Sequence, residues 1–263
     1  MIRPLIFAAA LALAACAASG RVSAPPPTVA AAPVDPSIVS PPKTDLKGYL
    51  RPDALDGLAI LGPPPDPDTP RGQADRATYL ATRALAGTPR WEAAKRDNDL
   101  WYGGAMRRYA CAVGREITET ATPLTWKLLH RVEIDVVTVG SPAKRRFNRV
   151  RPLIGDDRPV CVPREDWMKT NGSYPSGHAG TGWAWGLVVA ELAPERATAA
   201  IEAGREVGDS RVVCGVHYPS DVEAGRTLAS AMVARLHAEP AFQRDLAAAK
   251  RELSRAKPLS CRA

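Results

Sequence analysis

From about residue 70 to the C-terminus, apolar residues recur at helical spacing, and little of the chain alternates with a period of two. This pattern predicts a nearly all-α fold, because a half-buried strand would show the alternation. Proline stands in the first turn of several segments, where its missing backbone N–H has no helical partner to lose. The predicted helices are Asp75–Leu85, Pro89–Asp97, Asp99–Glu116 with Asn98 as its cap, Pro123–Thr138, Trp183–Leu192, Pro194–Val207, Ser220–Leu236 and Pro240–Ser254.

The length and composition fit a single helical domain. The 263 residues suffice for one core of about 200 to 240 residues and a separate N-terminal segment. Aromatic residues make up only 6% of the chain, which favours closely packed helices over a β-sandwich. The net charge of +7 is compatible with simple solubility or with an anionic ligand, and only the positions of the charges can decide.

The first 15 residues are expected to form an export signal. Arg3 precedes a short apolar run that is followed by small residues. The run Leu13–Cys16 resembles a bacterial lipobox, which makes Cys16 a candidate for lipidation and membrane attachment. An ordinary cleavage site after Ala18 or Ala24 is the alternative. We therefore expect a periplasmic protein, tethered to the outer membrane if Cys16 is lipidated.

Residues 16–70 are rich in proline and alanine and are interpreted as an extended tether. Within them, Tyr49–Leu61 has more apolar character and is expected to pack on the domain as a strap. The helical domain would then occupy residues 71–263. No run of 18 uninterrupted apolar residues occurs, so no internal membrane-spanning helix is predicted.

The remaining cysteines predict disulfides rather than a metal site. An even number of cysteines in an oxidising compartment indicates two bridges, with three possible connectivities. A zinc site is disfavoured because no CxxC pair occurs. The four candidates are Cys111, Cys161, Cys214 and Cys261.

Three short segments carry candidate chemistry, and the first is a basic run from Lys144 to Pro152. Lys144 and Arg151 are seven residues apart, which is two turns, so a helix would place them on one face. Taken alone, the run is more simply a solvated face or a nucleic-acid patch. However, no recognisable binding module stands beside it.

The second segment, Gly172–His178, immediately precedes an apolar stretch with helical character. Ser176 and Gly177 stand where a helix would begin, and unpaired backbone N–H groups at such a position attract anions. Glycine also lets a ligand approach the backbone closely. An N-terminal cap with an incidental His178 is the alternative interpretation.

The third segment contains Ser210, Arg211, His217 and Asp221. A carboxylate hydrogen-bonded to Nδ1 of His217 would fix the tautomer and leave Nε2 free as a nucleophile. Ser220 followed by Glu223 also fits a capping box, so part of the segment would begin a helix.

Together, the three segments supply what phosphoryl transfer requires. Planar arginine groups and a lysine match a charge that spreads over three non-bridging oxygens, and Lys144, Arg151 and Arg211 provide them. One histidine can attack phosphorus while the other protonates the leaving group. His130 and His237 match no motif and are interpreted as core or surface residues.

On these residues, the sequence resembles the type 2 phosphatidic acid phosphatase (PAP2) superfamily, and within it the bacterial class A non-specific acid phosphatases. The chain matches the superfamily pattern K-x6-R-P from Lys144, P-S-G-H from Pro175 and S-R-x5-H-x3-D from Ser210. Ala179 departs from the class A signature, which usually has threonine at this position without a catalytic role. The resemblance implies a compact helical domain of the PAP2/haloperoxidase-like type.

The resemblance also implies metal-independent hydrolysis of phosphate monoesters at acidic pH, with no cofactor. His217 would form a phosphohistidine and Asp221 would orient it. His178 would protonate the leaving group and then activate water. The phosphate oxygens would be held by Lys144, Arg151, Ser176, Gly177 and Arg211.

The expected ligands are small organic phosphomonoesters and inorganic phosphate, with no nucleic-acid-binding role, and the resemblance allows a homodimer. Two alternatives share the pocket. Vanadium-dependent haloperoxidases tend to be much longer than this chain, and lipid phosphate phosphatases usually span the membrane several times. A non-enzymatic basic protein is a third alternative, and it predicts salt-dependent nucleic-acid binding that survives His217→Ala.

Overall fold

The structure is a computed structural model that describes residues 45–261, and over this range it is built from α-helices and short 3₁₀ turns without a β-strand. This confirms the predicted all-α class. The export signal, Cys16 and most of the predicted tether lie outside the described residues. No helix in the range 45–261 has the length and apolar character needed to cross a bilayer. The helices are α1 Gly57–Leu61, α2 Pro70–Thr82, α3 Pro89–Asp97, α4 Met106–Val113, α5 Pro123–Phe147, α6 Gly177–Leu192, α7 Ala197–Val213, α8 Pro219–Leu236 and α9 Pro240–Arg255.

Helix α6 is the centre of the fold and packs against α5, α7, α8 and α9. It is apolar around most of its circumference, as expected of a helix enclosed by others. Trp185 is fully buried on it and donates its indole N–H to the carbonyl of Leu129 on α5 at 2.6 Å. His130 is fully buried next to Leu129, whereas His237 is exposed at the end of α8. These two histidines therefore have the core and surface positions that were predicted.

Glycines let α6 and α7 approach backbone to backbone. A Cβ atom added to Gly204 on α7 would lie 2.6 Å from the carbonyl oxygen of Gly182 on α6, closer than such atoms approach. Because α6 begins at Gly177 and α7 ends at Val213, this close contact fixes the start of one helix relative to the end of the other.

Helix α5 is longer than predicted and ends before Arg151. It runs through Pro142 to Phe147, and Asn148 then adopts the left-handed conformation with φ of 39°. The prediction that Lys144 and Arg151 share one helix face is therefore wrong. Asparagine tolerates this conformation better than most residues, so it is an ordinary helix end.

A second boundary also differs, because Asn98 ends α3 instead of capping a helix over Asp99–Glu116. The carboxylate of Asp99 accepts backbone N–H groups from Trp101, Tyr102 and Gly104, at 2.9, 2.7 and 2.9 Å. These bonds stabilise a loop over residues 99–105, since aspartate side chains compete with helical hydrogen bonding. Helix α4 then begins only at Met106.

The segment predicted to be a strap packs on α5. Asp135 accepts the backbone N–H groups of Tyr49 and Leu50, both at 2.9 Å. The guanidinium of Arg131 lies 3.6 Å from the centre of the Tyr49 ring. Burial raises the pKa of Asp135 to about 6. The strap is thus attached by hydrogen bonds and an aromatic contact as well as by apolar packing.

The cysteines form two disulfides, Cys111–Cys261 and Cys161–Cys214. The structure therefore selects one of the three connectivities that the sequence left open. Cys214 caps the end of α7, and its carbonyl accepts the backbone N–H of Cys161 at 3.2 Å. The second bridge thereby joins the loop before α6 to the end of α7.

We expect Gly204→Ala to lower the free energy of unfolding by about 1–3 kcal/mol, because the new methyl group overpacks the contact between α6 and α7. Gly140→Ala on α5 is the matched control, since its Cβ would meet only ordinary contacts, the nearest at 3.6 Å from Leu228. That variant should gain up to about 1 kcal/mol from helix propensity. Urea unfolding measures both, and equal stabilities would contradict the packing argument.

Candidate active site

Two cations meet although they lie on different elements. Lys144 Nζ, in the last turn of α5, donates to the carbonyl of Gly172 at 2.9 Å. Arg151 Nε, in the following loop, donates to the carbonyl of Asn171 at 2.9 Å. Both side chains are buried. Asn171 and Gly172 are consecutive, so their carbonyls hold Lys144 and Arg151 close together. The sequence had predicted that one helix face would do this.

Helix α6 begins at Gly177, where the second motif predicted a helix start, and thus six residues before the predicted helix Trp183–Leu192. Ser176 is the N-cap, its Oγ accepts the N–H of Ala179 at 3.3 Å, and Gly177 is the first helical residue. The backbone N–H of Ser176 donates to the carbonyl of Asp221 at 2.9 Å, which joins the second motif to the third. The unpaired N–H groups and the dipole at a helix start favour an anion.

His178 lies in the first turn of α6 and is held by Asn98. Its Nε2 lies 3.0 Å from the backbone carbonyl of Asn98. A carbonyl only accepts hydrogen bonds, so Nε2 carries a hydrogen and Nδ1 is the nitrogen left for other chemistry. Burial, followed by the charge of Arg211, lowers the pKa of His178 well below its usual value.

Arg211 reaches the same region from the last turn of α7. Its Nη1 donates to the side-chain oxygen of Asn98 at 2.8 Å. The side chain is buried, and among the described residues its Nε has no hydrogen-bond partner. A buried guanidinium with an unpaired donor is suited to an anion.

His217 follows α7 and is buried among the cations. Its Nε2 lies 3.2 Å from Nη1 of Arg151. Arginine only donates, so Nε2 presents a lone pair. Burial and the charges of Arg151, Lys144 and Arg211 lower the pKa of His217 well below its usual value. The imidazole is therefore neutral, with its Nε2 lone pair directed toward Arg151.

Asp221 approaches His217 but has other partners. Its Oδ2 lies 3.4 Å from Nδ1 of His217, longer than a charge-assisted hydrogen bond, and accepts the backbone N–H of Tyr218 at 2.8 Å. Tyr218 is the N-cap of α8 and Asp221 its third residue, so the predicted capping box of Ser220 and Glu223 is wrong. Asp221 is near His217 as predicted, but this structure shows an electrostatic contact at 3.4 Å.

None of the three cationic side chains donates a hydrogen bond to a carboxylate among the described residues. Lys144, Arg151 and Arg211 donate hydrogen bonds to neutral acceptors among the described residues. Burial and then the charge of Arg151 lower the pKa of Lys144 to about 7 and that of Arg211 to about 9, and burial lowers the pKa of Arg151 to about 10. Both arginines are charged at acidic and neutral pH, and their field attracts anions.

Comparison with known proteins identifies the family. Residues 132–243 match the model of the PAP2 superfamily. A non-specific acid phosphatase of Providencia stuartii is 40% identical over 217 residues, covering 82% of this chain and 88% of that protein. The chain belongs to the PAP2 superfamily. An acid phosphatase of Zymomonas mobilis is 38% identical over 204 residues, 77% of each chain. A non-specific acid phosphatase of Salmonella typhimurium is 38% identical over 208 residues, 77% and 82% of the two chains.

This candidate site contains a partly buried arginine that the sequence analysis did not place in the pocket. Arg149 Nη1 donates to Oδ1 of Asp221 and to Oγ of Ser220, both at 2.7 Å, and its Nη2 donates to Asp75 at 2.9 Å. Asp75 comes from α2 and is buried. Arg149 thus links α2 to the start of α8 and fixes the carboxylate beside His217. Spacing gave no signal for this contact because its partner is 74 residues away along the chain.

In the described range 45–261, no group of three or more His, Cys, Asp and Glu side chains is arranged to hold a metal ion. The acidic groups near the site, Asp75 and Asp221, are both hydrogen-bonded to Arg149. The charged groups left to face the candidate anion position are therefore Lys144, Arg151 and Arg211.

We expect Arg149→Met to lower the free energy of unfolding by about 3–5 kcal/mol, because it leaves Asp75 and Asp221 buried without their counter-charge. Arg145→Met is the matched control, since Arg145 belongs to the same basic run but is exposed. The control should stay within about 0.5 kcal/mol of the parent. Chemical denaturation followed by circular dichroism measures both. A similar small effect of the two variants would refute the structural role of Arg149.

Proposed function

We propose that this phosphatase hydrolyses phosphate monoesters at acidic pH through a phosphohistidine on His217, without a metal ion. The observation that carries the proposal is the lone pair on Nε2 of His217, 3.2 Å from Arg151 and within a group of buried cations that have neutral partners. The phosphatase class itself follows from the PAP2 family and from relatives named acid phosphatases.

In the first step, Nε2 of His217 attacks phosphorus while the bond between phosphorus and the leaving oxygen breaks. The leaving alkoxide takes a proton from His178 and departs as an alcohol. Nδ1 is the nitrogen that supplies this proton, because Nε2 is hydrogen-bonded to the carbonyl of Asn98. The phosphoryl group is then bound covalently to His217.

Charge that develops on the phosphoryl oxygens is stabilised from two sides. Lys144, Arg151 and Arg211 supply positive charge, and the arginines offer planar pairs of donors. Ser176 and Gly177 supply the N-terminal N–H groups of α6 and the positive end of its dipole. These groups are held in position before substrate binds, so little reorganisation is required.

In the second step, water attacks the phosphohistidine. Neutral His178 accepts a proton from the water, the bond between phosphorus and nitrogen breaks, and inorganic phosphate leaves. His217 regains its lone pair and His178 its proton, so the enzyme returns to its initial state.

An acidic optimum follows from the two histidines. His178 must be protonated to act as the acid, and burial and Arg211 lower its pKa, so kcat/KM should fall as the pH rises toward neutrality. His217 must be unprotonated to attack, and its lowered pKa keeps Nε2 free in acid. The lowered pKa values of His178 and His217 therefore both move the pH range of high kcat/KM toward acid.

The substrates we propose are small organic phosphomonoesters, with inorganic phosphate as product. The acid phosphatase names of the relatives support this class. We further propose a periplasmic location, supported by the export pattern of residues 1–15, with attachment to the outer membrane if Cys16 is lipidated. A homodimer is part of the same proposal.

The central test is His217→Ala, which should lower turnover of p-nitrophenyl phosphate roughly a thousandfold or more without lowering the melting temperature. Rapid quenching with labelled substrate should trap an acid-labile, alkali-stable phosphoenzyme in the parent alone. His237→Ala is the matched control, because His237 is exposed at the end of α8.

The same assay tests the metal-free mechanism. EDTA should leave turnover unchanged, and a strong loss that added metal restores would contradict the proposal. Parent-level activity of His217→Ala would show that another group is the nucleophile.

Phosphate binding should be coupled to proton uptake at Lys144. With a pKa of about 7, this lysine is mostly neutral at pH 8, and a bound phosphate would raise its pKa toward the usual value. We therefore expect net proton uptake at pH 8 that becomes smaller near pH 5.5, where the lysine is already protonated.

Calorimetric titration of phosphate in buffers of different ionisation enthalpy measures this uptake. Lys144→Met should reduce the uptake at pH 8 and leave only the contribution of the histidines. An uptake that is the same in parent and variant would show that Lys144 does not change its charge on binding.

A further inference from the structure

Asn98 contacts two of the groups to which the proposed function assigns the reaction. Its backbone carbonyl accepts Nε2–H of His178 at 3.0 Å, and its side-chain oxygen accepts Nη1 of Arg211 at 2.8 Å. It reaches them from the end of α3, whereas His178 and Arg211 lie on α6 and α7. Asn98 belongs to none of the three sequence motifs.

The amide of Asn98 is the hydrogen-bond acceptor that orients Arg211. Within residues 45–261, the guanidinium of Arg211 donates to the side chain of Asn98, and its Nε has no hydrogen-bond partner. An amide oxygen holds the plane of the guanidinium without contributing a negative charge.

The acidic residue just before Asn98 in the chain makes its hydrogen bonds to groups other than Arg211. Asp97 directly precedes Asn98 and is buried, but its carboxylate accepts hydrogen bonds from Arg108 and Ser210. The partly buried arginines Arg108 and Arg149 are paired with carboxylates. Arg211 differs from them because its partner is neutral.

We propose that Asn98 is a positioning residue of the phosphatase reaction, orienting Arg211 through a neutral acceptor so that the full charge of the guanidinium acts on the phosphoryl group. The proposal rests on the proposed function, in which Arg211 holds phosphate and His178 is the acid. Asn98 lies outside the three motifs, and both the shape of its side chain and its lack of charge matter for phosphate binding.

The neutrality can be tested because aspartate has nearly the shape of asparagine. Asn98→Asp would place a carboxylate beside Arg211, where it would compete with phosphate for the same cation. Asn98→Ala would remove the orienting contact without adding charge, and its backbone carbonyl would still hold His178.

The two variants also differ in their expected effect on His178. The titratable groups facing this imidazole are Arg211 on α7, His217 in the loop after α7 and Arg151 in the loop after α5, and each lowers the pKa of His178. A carboxylate at position 98 would offset the charge of Arg211 and raise that pKa. The alkaline limb of the kcat/KM profile should then move to higher pH in Asn98→Asp but not in Asn98→Ala.

The experiment measures competitive inhibition by inorganic phosphate and the pH profile of kcat/KM in the full chain. For Asn98→Asp we expect phosphate to bind roughly tenfold more weakly or worse, with the alkaline limb displaced upward. For Asn98→Ala we expect a loss of a few-fold and an unmoved limb. Asn148→Asp is the matched control, since it adds the same charge to an exposed side chain and should bind phosphate as the parent does.

Parent-like phosphate inhibition in both Asn98 variants would overturn the proposal. So would an equal loss in Asn98→Ala and Asn98→Asp, or a fall in kcat alone with a lowered melting temperature, because these results indicate a structural role. Calorimetric binding of inorganic phosphate gives the affinity without any turnover, so an inactive variant is still informative. The His217→Ala assay separately tests the nucleophile, so either idea can fail while the other stands.

Discussion

The mutual repulsion of three buried cations is the constraint that the rest of the site must satisfy. Lys144, Arg151 and Arg211 are removed from water, and no carboxylate shares their hydrogen bonds among the described residues. Backbone carbonyls and one amide orient them, and these acceptors come from the segment before α6, the loop after α7 and the end of α3. The repulsion between these like charges destabilises the folded state, and packing in the rest of the domain offsets it. Binding of an anion would reduce the repulsion and stabilise the fold.

Two features of the candidate site could be predicted because they depend on short spacings in the sequence. The N-cap position of Ser176 and the proximity of His217 to Asp221 both depend on neighbours within a few residues. Helix ends were less predictable. The side chain of Asp99 captures three backbone N–H groups and delays α4, and the left-handed Asn148 ends α5 before Arg151. Both helix ends depend on side-chain and backbone hydrogen bonds that compete with the helical ones, and the spacing of apolar residues does not reveal them.

Contacts between distant segments could not be predicted from one sequence. Arg149 appeared to be a dispensable member of a basic run, yet its partner Asp75 comes from α2. Asn98 appeared to be a helix cap, yet its side chain serves Arg211, more than a hundred residues later. In both cases the residue type fits several roles, and only the tertiary contacts distinguish an arginine neutralised by carboxylates from one left free for a ligand.

The disulfide between Cys161 and Cys214 has a topological consequence. It closes a covalent ring that contains Ser176, His178 and Arg211, and His217 follows three residues beyond it. A single cut of the chain anywhere inside this ring would leave two pieces that are still linked. Such a nicked molecule would stay in one piece until it was reduced, and the helices that carry His178 and Arg211 would remain covalently connected.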